Sequence, residues 1–139
     1  MKLLVIGRTK KDWGLEPLLV RALRGAGAEV LCSDDYSCYE LPRLEEIDTT
    51  LLVQGNLSST MIQRLPRPII TLCGEYLPHA KDSGDGQAWN RLLMVRGALQ
   101  ASDMFLVGSP GPVKFLQERY PGQRVFDVPM FLASPLMRA

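Results

Sequence analysis

The chain carries a single histidine, His79, standing between the carboxylates Glu75 and Asp82. An imidazole with an acidic neighbour is the pair a general base needs, because the carboxylate fixes the ring's tautomer and stabilises its charged form. Glu75 and His79 are therefore the candidate catalytic residues, with Tyr76 beside them as a substrate contact; an ordinary surface-loop histidine is the alternative for the same position. A second candidate is the segment Gly7, Arg8, Thr9, Lys10, Lys11, whose cations precede a predicted helix. Side-chain charge and the positive helix end would both favour an anion there, phosphate above all. The segment contains neither GxGxxG nor GxxxxGK[ST], so it signals no dinucleotide or P-loop site, and a solvated basic loop is the alternative. Asn56, in the Gln54-Gly55-Asn56 turn, completes the polar set with Ser109. Ser109 lacks a GxSxG context and reads as a cap or anion contact rather than a nucleophile.

Other chemistries are poorly served. Asp34 and Asp35, or Asp82 and Asp85, could touch a hard cation, but carboxylates on unrelated loops are ordinarily solvated, and no metal site or cofactor is expected. A phosphoacceptor would want acidic residues after the first strand, where Arg8 and Thr9 stand instead. The three cysteines, Cys32, Cys38 and Cys73, include no CxxC pair, so neither a zinc site nor a disulfide framework is indicated. Cys32 and Cys73 lie in apolar runs and read as small hydrophobes.

These residues must be positioned by regular elements. Leu3 to Ile6, closed by Gly7, is a continuous aliphatic run of the kind buried on both faces of a parallel sheet, and it reads as the central strand. Leu15, Leu18, Leu19, Ala22, Leu23 and Ala26 follow helical spacing, with Gly25 and Gly27 ending the helix. Glu29 to Cys32 is the next strand. Residues 33–49 read as loop, with at most one helical turn in 43–48. Further strands are predicted at Leu51 to Val53, Ile69 to Gly74, Met104 to Val107 and Val125 to Val128. Helices are predicted from the Ser58 cap to Leu65, through Trp89, Leu92, Leu93, Val95, Arg96 and Leu99 to near Ser102, and from Pro112 to Tyr120. The polar connection from Glu75 to Gln87 is the longest and the prime site candidate.

Strands alternating with helices predict an α/β, three-layer Rossmann-like fold with a six-stranded parallel sheet in a single domain spanning residues 1–139. A Rossmann-like strand order is preferred to the flavodoxin order. In such a sheet the loops leaving the carboxyl ends share one edge, which would gather Gly7, Arg8, Thr9, Lys10, Asn56, Glu75, Tyr76, His79 and Ser109. The apolar segment 129–139 belongs to no predicted element and reads as a tail or interdomain linker.

At 139 residues, 46% hydrophobic and 22% charged, the chain has the composition of one globular domain. A net charge of +1 gives no global pull toward nucleic acid. Strand-length apolar runs fall far short of the roughly 20 residues of a membrane span, and no secretory signal pattern opens the chain, so the expected compartment is the cytoplasm.

Five segments carry a resemblance: LLVIGR at 3–8, GAGAEV at 25–30, TLLVQGNLS at 50–58, PIITLCGEYLP at 68–78 and SDMFLVGSPGPVKFLQERYPGQRVFDVPM at 102–130, which ends in the pair Val128-Pro129. Together they resemble the N-terminal domain of GT-B fold glycosyltransferases, including the CgeB-like, spore-maturation group. The resemblance implies an acceptor-side domain of an enzyme that transfers a sugar from a nucleotide-sugar donor. The donor's main binding half and its electrostatic help to the leaving diphosphate would come from a C-terminal domain outside this chain, without which it would be inactive. By that resemblance Arg8 to Gly14 would face donor phosphates or acceptor, and Glu75 or His79 would hold the base position. The alternative from a different class is a stand-alone Rossmann-like ligand-binding or interaction module, forming a homo-oligomer through its apolar tail.

Overall fold

The computed structural model of the chain describes residues 1–7, 15–33, 44–53 and 58–128. Among them six strands form one sheet: β1 (Lys2–Ile6), β2 (Glu29–Ser33), β3 (Thr49–Leu52), β4 (Ile69–Cys73), β5 (Met104–Val107) and β6 (Val125–Asp127). Every pairing is parallel. The helices are α1 (Leu15–Gly25), α2 (Ser59–Ile62), α3 (Gly86–Ala101) and α4 (Val113–Arg119), with a 3-10 turn at Leu44–Glu46. The fold is α/β, a parallel sheet flanked by helices, as the alternation of patterns predicted.

The strand order, however, is β2-β1-β3-β4-β5-β6. This corrects the preferred Rossmann order and the central place given to β1. The order is the flavodoxin type extended by β6 at one edge. β1 is nevertheless enclosed on both sides and both faces, which is why Leu3 to Ile6 are all buried. β2, at the edge, alternates instead, with Leu31 left 38% exposed.

Right-handed crossovers explain the layers. The step from β1 to β2 runs one way across the sheet, and each later step runs the other way, so α1 falls on one face and α2, α3 and α4 on the opposite face. Leu4, Ile6, Leu52, Ile69, Cys73, Phe105, Val107 and Val125 point toward those three helices and form the main core with Ile62, Leu92, Val95, Leu99 and Leu116. Val5 and Val30 meet Val20 of α1 in a second, smaller cluster. Ile70, Leu72, Met104 and Leu106, on the α1 side of β4 and β5, are half-buried and belong to neither cluster. Phe126 on the same side of β6 is 43% exposed. Buried hydroxyls in the sheet are satisfied locally: Thr71 Oγ1 meets Ser102 Oγ at 2.6 Å, and Thr50 Oγ1 donates to the Pro66 carbonyl at 2.7 Å.

α1 turns a different stripe inward than its apolar spacing predicted, whereas α3 buries Leu92, Val95 and Leu99 of its predicted stripe. α1 buries Glu16 and Val20, while Ala22 and Ala26 are exposed. It ends as glycine dictates, at Gly27 with φ 97°, where Ala28 N–H reaches back to the Leu23 carbonyl at 3.1 Å. α3 buries Ala88, Leu92, Val95, Ala98 and Leu99, leaving the expected inward residue Leu93 60% exposed. α2 is also shorter than predicted; Ser58 caps it, accepting from the Met61 N–H at 3.3 Å, but the helix stops at Ile62.

Candidate functional site

In this order β1 and β3 are neighbours whose onward connections run to opposite sides of the sheet, so the crevice of an open α/β sheet lies beyond their carboxyl ends. Gly7 follows β1 there. A Cβ at Gly7 would stand 3.0 Å from Glu16 Cγ and 3.1 Å from Val53 Cβ, so close approach, and not a turn conformation, requires glycine. Glu16, only 8% exposed, is a carboxylate of this crevice that does not stand among the residues expected from the sequence. Its signal was present in the sequence: it lies four residues before Val20, on the stripe that α1 presents to the sheet. Arg8, Thr9, Lys10 and Asn56, the other candidates for this crevice, lie outside the described residues.

The second group stands beyond β4 and β5. The connection after β4 is built around an anchor: Leu77, 1% exposed, enters the main core and Pro78 is buried beside it. Tyr76 and His79 flank that anchor and are exposed, their rings 5.3 Å apart and tilted by 45°. Farther along, Trp89 Nε1 donates to the Ser83 carbonyl at 2.8 Å, and the Asp85 side chain caps α3 by accepting from the Gln87 and Ala88 N–H groups at 3.0 and 3.2 Å. The connection is therefore tied to the core at Leu77 and to α3 at both Ser83 and Asp85.

His79 rests on the neighbouring connection. A Cβ at Gly111 would fall against the His79 ring, 2.7 Å from Nδ1, so the bare glycine backbone after β5 is what admits the imidazole. Ser109 is exposed on that same connection. The structure thus gathers Glu75, Tyr76, His79 and Ser109 at one edge of the sheet, with Gly7 on the same edge beyond β1. It does not form the expected carboxylate-to-imidazole pair. Glu75 turns to Arg91 of α3, Oε2 to Nε 3.4 Å, both groups substantially exposed, and among the described residues no carboxylate is bonded to His79.

Beside His79 a groove of about 390 Å³ opens toward α4, lined by His79, Ala80, Lys81, Lys114, Phe115, Glu118 and Arg119. Its apolar wall is Phe115, which meets Trp89 edge-on at 5.7 Å, and the Arg119 guanidinium lies 5.6 Å from the Trp89 ring centre. Beneath the edge, burial pushes the Cys73 thiol up to about 11, the backbone hydrogen bond at Glu75 opposing and the Glu75 charge adding to the rise. A thiol so disfavoured as thiolate is no nucleophile, in keeping with its reading as a small hydrophobe. Among the described residues no group of three or more His, Cys, Asp or Glu side chains could hold a metal ion, and no helix is long and apolar enough to cross a membrane.

Comparison of the chain with protein-family models, with curated proteins and with solved structures gives no match.

Proposed function

We propose that the chain is the acceptor-side lobe of a sugar-transfer enzyme, completed by a donor-binding domain. The observation that carries this reading is the convergence of two strand connections at one edge: His79, after β4, seated on Gly111, after β5, with Tyr76, Glu75 and Ser109 alongside. Exposed rings next to hydroxyl and carboxylate groups suit a sugar, which offers both apolar faces and hydroxyls. Glu75 and His79 are the bases available to take a proton from an acceptor hydroxyl, and the crevice at Gly7 is left for the donor side. The test is a titration of the isotope-labelled chain with a panel of oligosaccharides, following backbone amide shifts. Saturable shifts at residues 75–79 and 109 are expected; silence there across the panel while other surfaces respond removes the assignment.

A second reading, a stand-alone binding or interaction module, is favoured by a different observation. The row Ile70, Leu72, Met104 and Leu106, continued by Phe126 at 43% exposure, leaves apolar surface on one face of the sheet. If that face joins two copies, Phe126→Glu should convert a dimer to a monomer by light scattering. A chain that is monomeric before the substitution rules this assembly out.

A further inference from the structure

We propose that the groove between residues 79–81 and α4 is a binding site for a phosphate-bearing small molecule, its phosphate held by Lys81, Lys114 and Arg119 and its apolar body laid against Phe115. Three observations carry it. The groove collects three permanent cations with the imidazole of His79 and only one carboxylate, Glu118, in a protein whose net charge is +1. That is a concentration of positive charge the composition as a whole does not have, and such a local excess in a concave surface attracts anions. Next, the cations are not neutralised by carboxylates. Among the described residues neither Lys81, Lys114 nor Arg119 forms an ion pair, whereas Lys2 and Arg67 on other surfaces do. Finally, the walls are fixed before any ligand arrives. Phe115 is 7% exposed and braced by Trp89, Trp89 is itself held by its bond to the Ser83 carbonyl, and Arg119 lies over the same indole. A guanidinium already held over an aromatic ring loses little freedom when it binds an oxyanion, and its planar donors match phosphate.

The volume of about 390 Å³ fits a small ester and is modest for a larger ligand. Inorganic phosphate would use the cations alone; an ester would also meet the small exposed part of Phe115 that lines the groove. The site stands on this groove alone and is independent of sugar transfer.

The experiment is an amide-shift titration of the whole chain with inorganic phosphate, with phenyl phosphate and with phenol. Phenyl phosphate should bind at least about threefold more tightly than phosphate, and phenol should not compete. The Lys81→Gln/Lys114→Gln double variant, altered only at exposed positions, should keep its thermal stability and lose about tenfold or more in affinity for phenyl phosphate, since it removes two of the three cations that hold the phosphate. Glu118→Gln should tighten binding, since it removes the groove's one negative charge. Phenol binding as well as phenyl phosphate, an affinity untouched by the double variant, or the absence of saturable shifts at 79–81 and 114–119 would each overturn the proposal.

Discussion

The strands begin among charges that are already paired. Before β1 and β3, Lys2 Nζ meets Glu46 at 2.7 Å while the Lys2 N–H donates to Asp48 at 2.7 Å. Before β4 and β5, Arg67 bonds Asp103 at 2.8 Å and the Ala101 carbonyl at 3.2 Å, and the same Asp103 oxygen accepts from the Ile69 N–H at 2.7 Å. The strands end differently. Beyond their carboxyl ends the one ion pair among the described residues is Glu75 with Arg91, at 3.4 Å, while His79, Lys81 and Lys114 stand without a carboxylate partner. The amino edge uses its polar groups to hold the sheet together; among the described residues of the carboxyl edge, His79, Lys81 and Lys114 are left exposed. That contrast teaches where binding can occur, because a side chain already bonded within the fold must give up that bond before it can hold a ligand.

Substitutions can break or sharpen the contrast. The largest effect belongs to neither edge: Ile6→Ala removes a fully enclosed side chain of β1 and should cost about 2 to 5 kcal/mol in chemical denaturation, which sets the scale for core truncation. Next comes pH. The Cys73 thiol is raised from 9.0 to about 11 by burial, so the unfolded chain gives up this proton first. Stability from this group is complete below about pH 9 and falls as pH rises toward 11, by about 2 to 3 kcal/mol. Denaturation curves of Cys73→Ala should be flatter over that range, and equal slopes in both proteins would contradict the assignment. At the amino edge, Asp103→Ala strips two partners at once and should cost about 1 to 3 kcal/mol; a loss below half of that would mean the edge is less locked than its geometry states. Gly111→Ala strikes the carboxyl edge, where the obstructing atoms are an exposed ring that can swing away. It should barely move the melting temperature while shifting the His79 ring resonances and loosening the contact with Tyr76. Smallest of all, Glu75→Ala and His79→Ala should stay within about 0.5 kcal/mol of the parent, as exposed groups do. A large loss at Glu75 would recast it as part of the framework and erase the difference between the edges.

Much of the framework was legible because its signals are local. An unbroken aliphatic run such as Leu3 to Ile6 only makes sense buried on both faces, and Asp85, Ser58 and Gly27 mark helix ends through backbone groups within a few residues of themselves. The site was legible in part. Glu75, Tyr76, His79 and Ser109 could be assigned to one edge because parallel strands must all end there. The seat of His79 on Gly111 could not, since the two residues are 32 apart in the chain and belong to separate connections. Glu16 is not legible in the same way, because apolar spacing marks a helix's inward face by its hydrophobic residues and α1 turns a carboxylate inward.

The sequence by itself determined the class of fold, the direction shared by the strands, and hence which polar residues could meet at a common edge, because periodicity, glycine and capping act over a turn or a strand. Only the tertiary structure decided the strand order, the inward turn of Glu16 on α1, and the partner each charge takes. Those are choices among contacts distant along the chain, and many arrangements satisfy the same local pattern equally well.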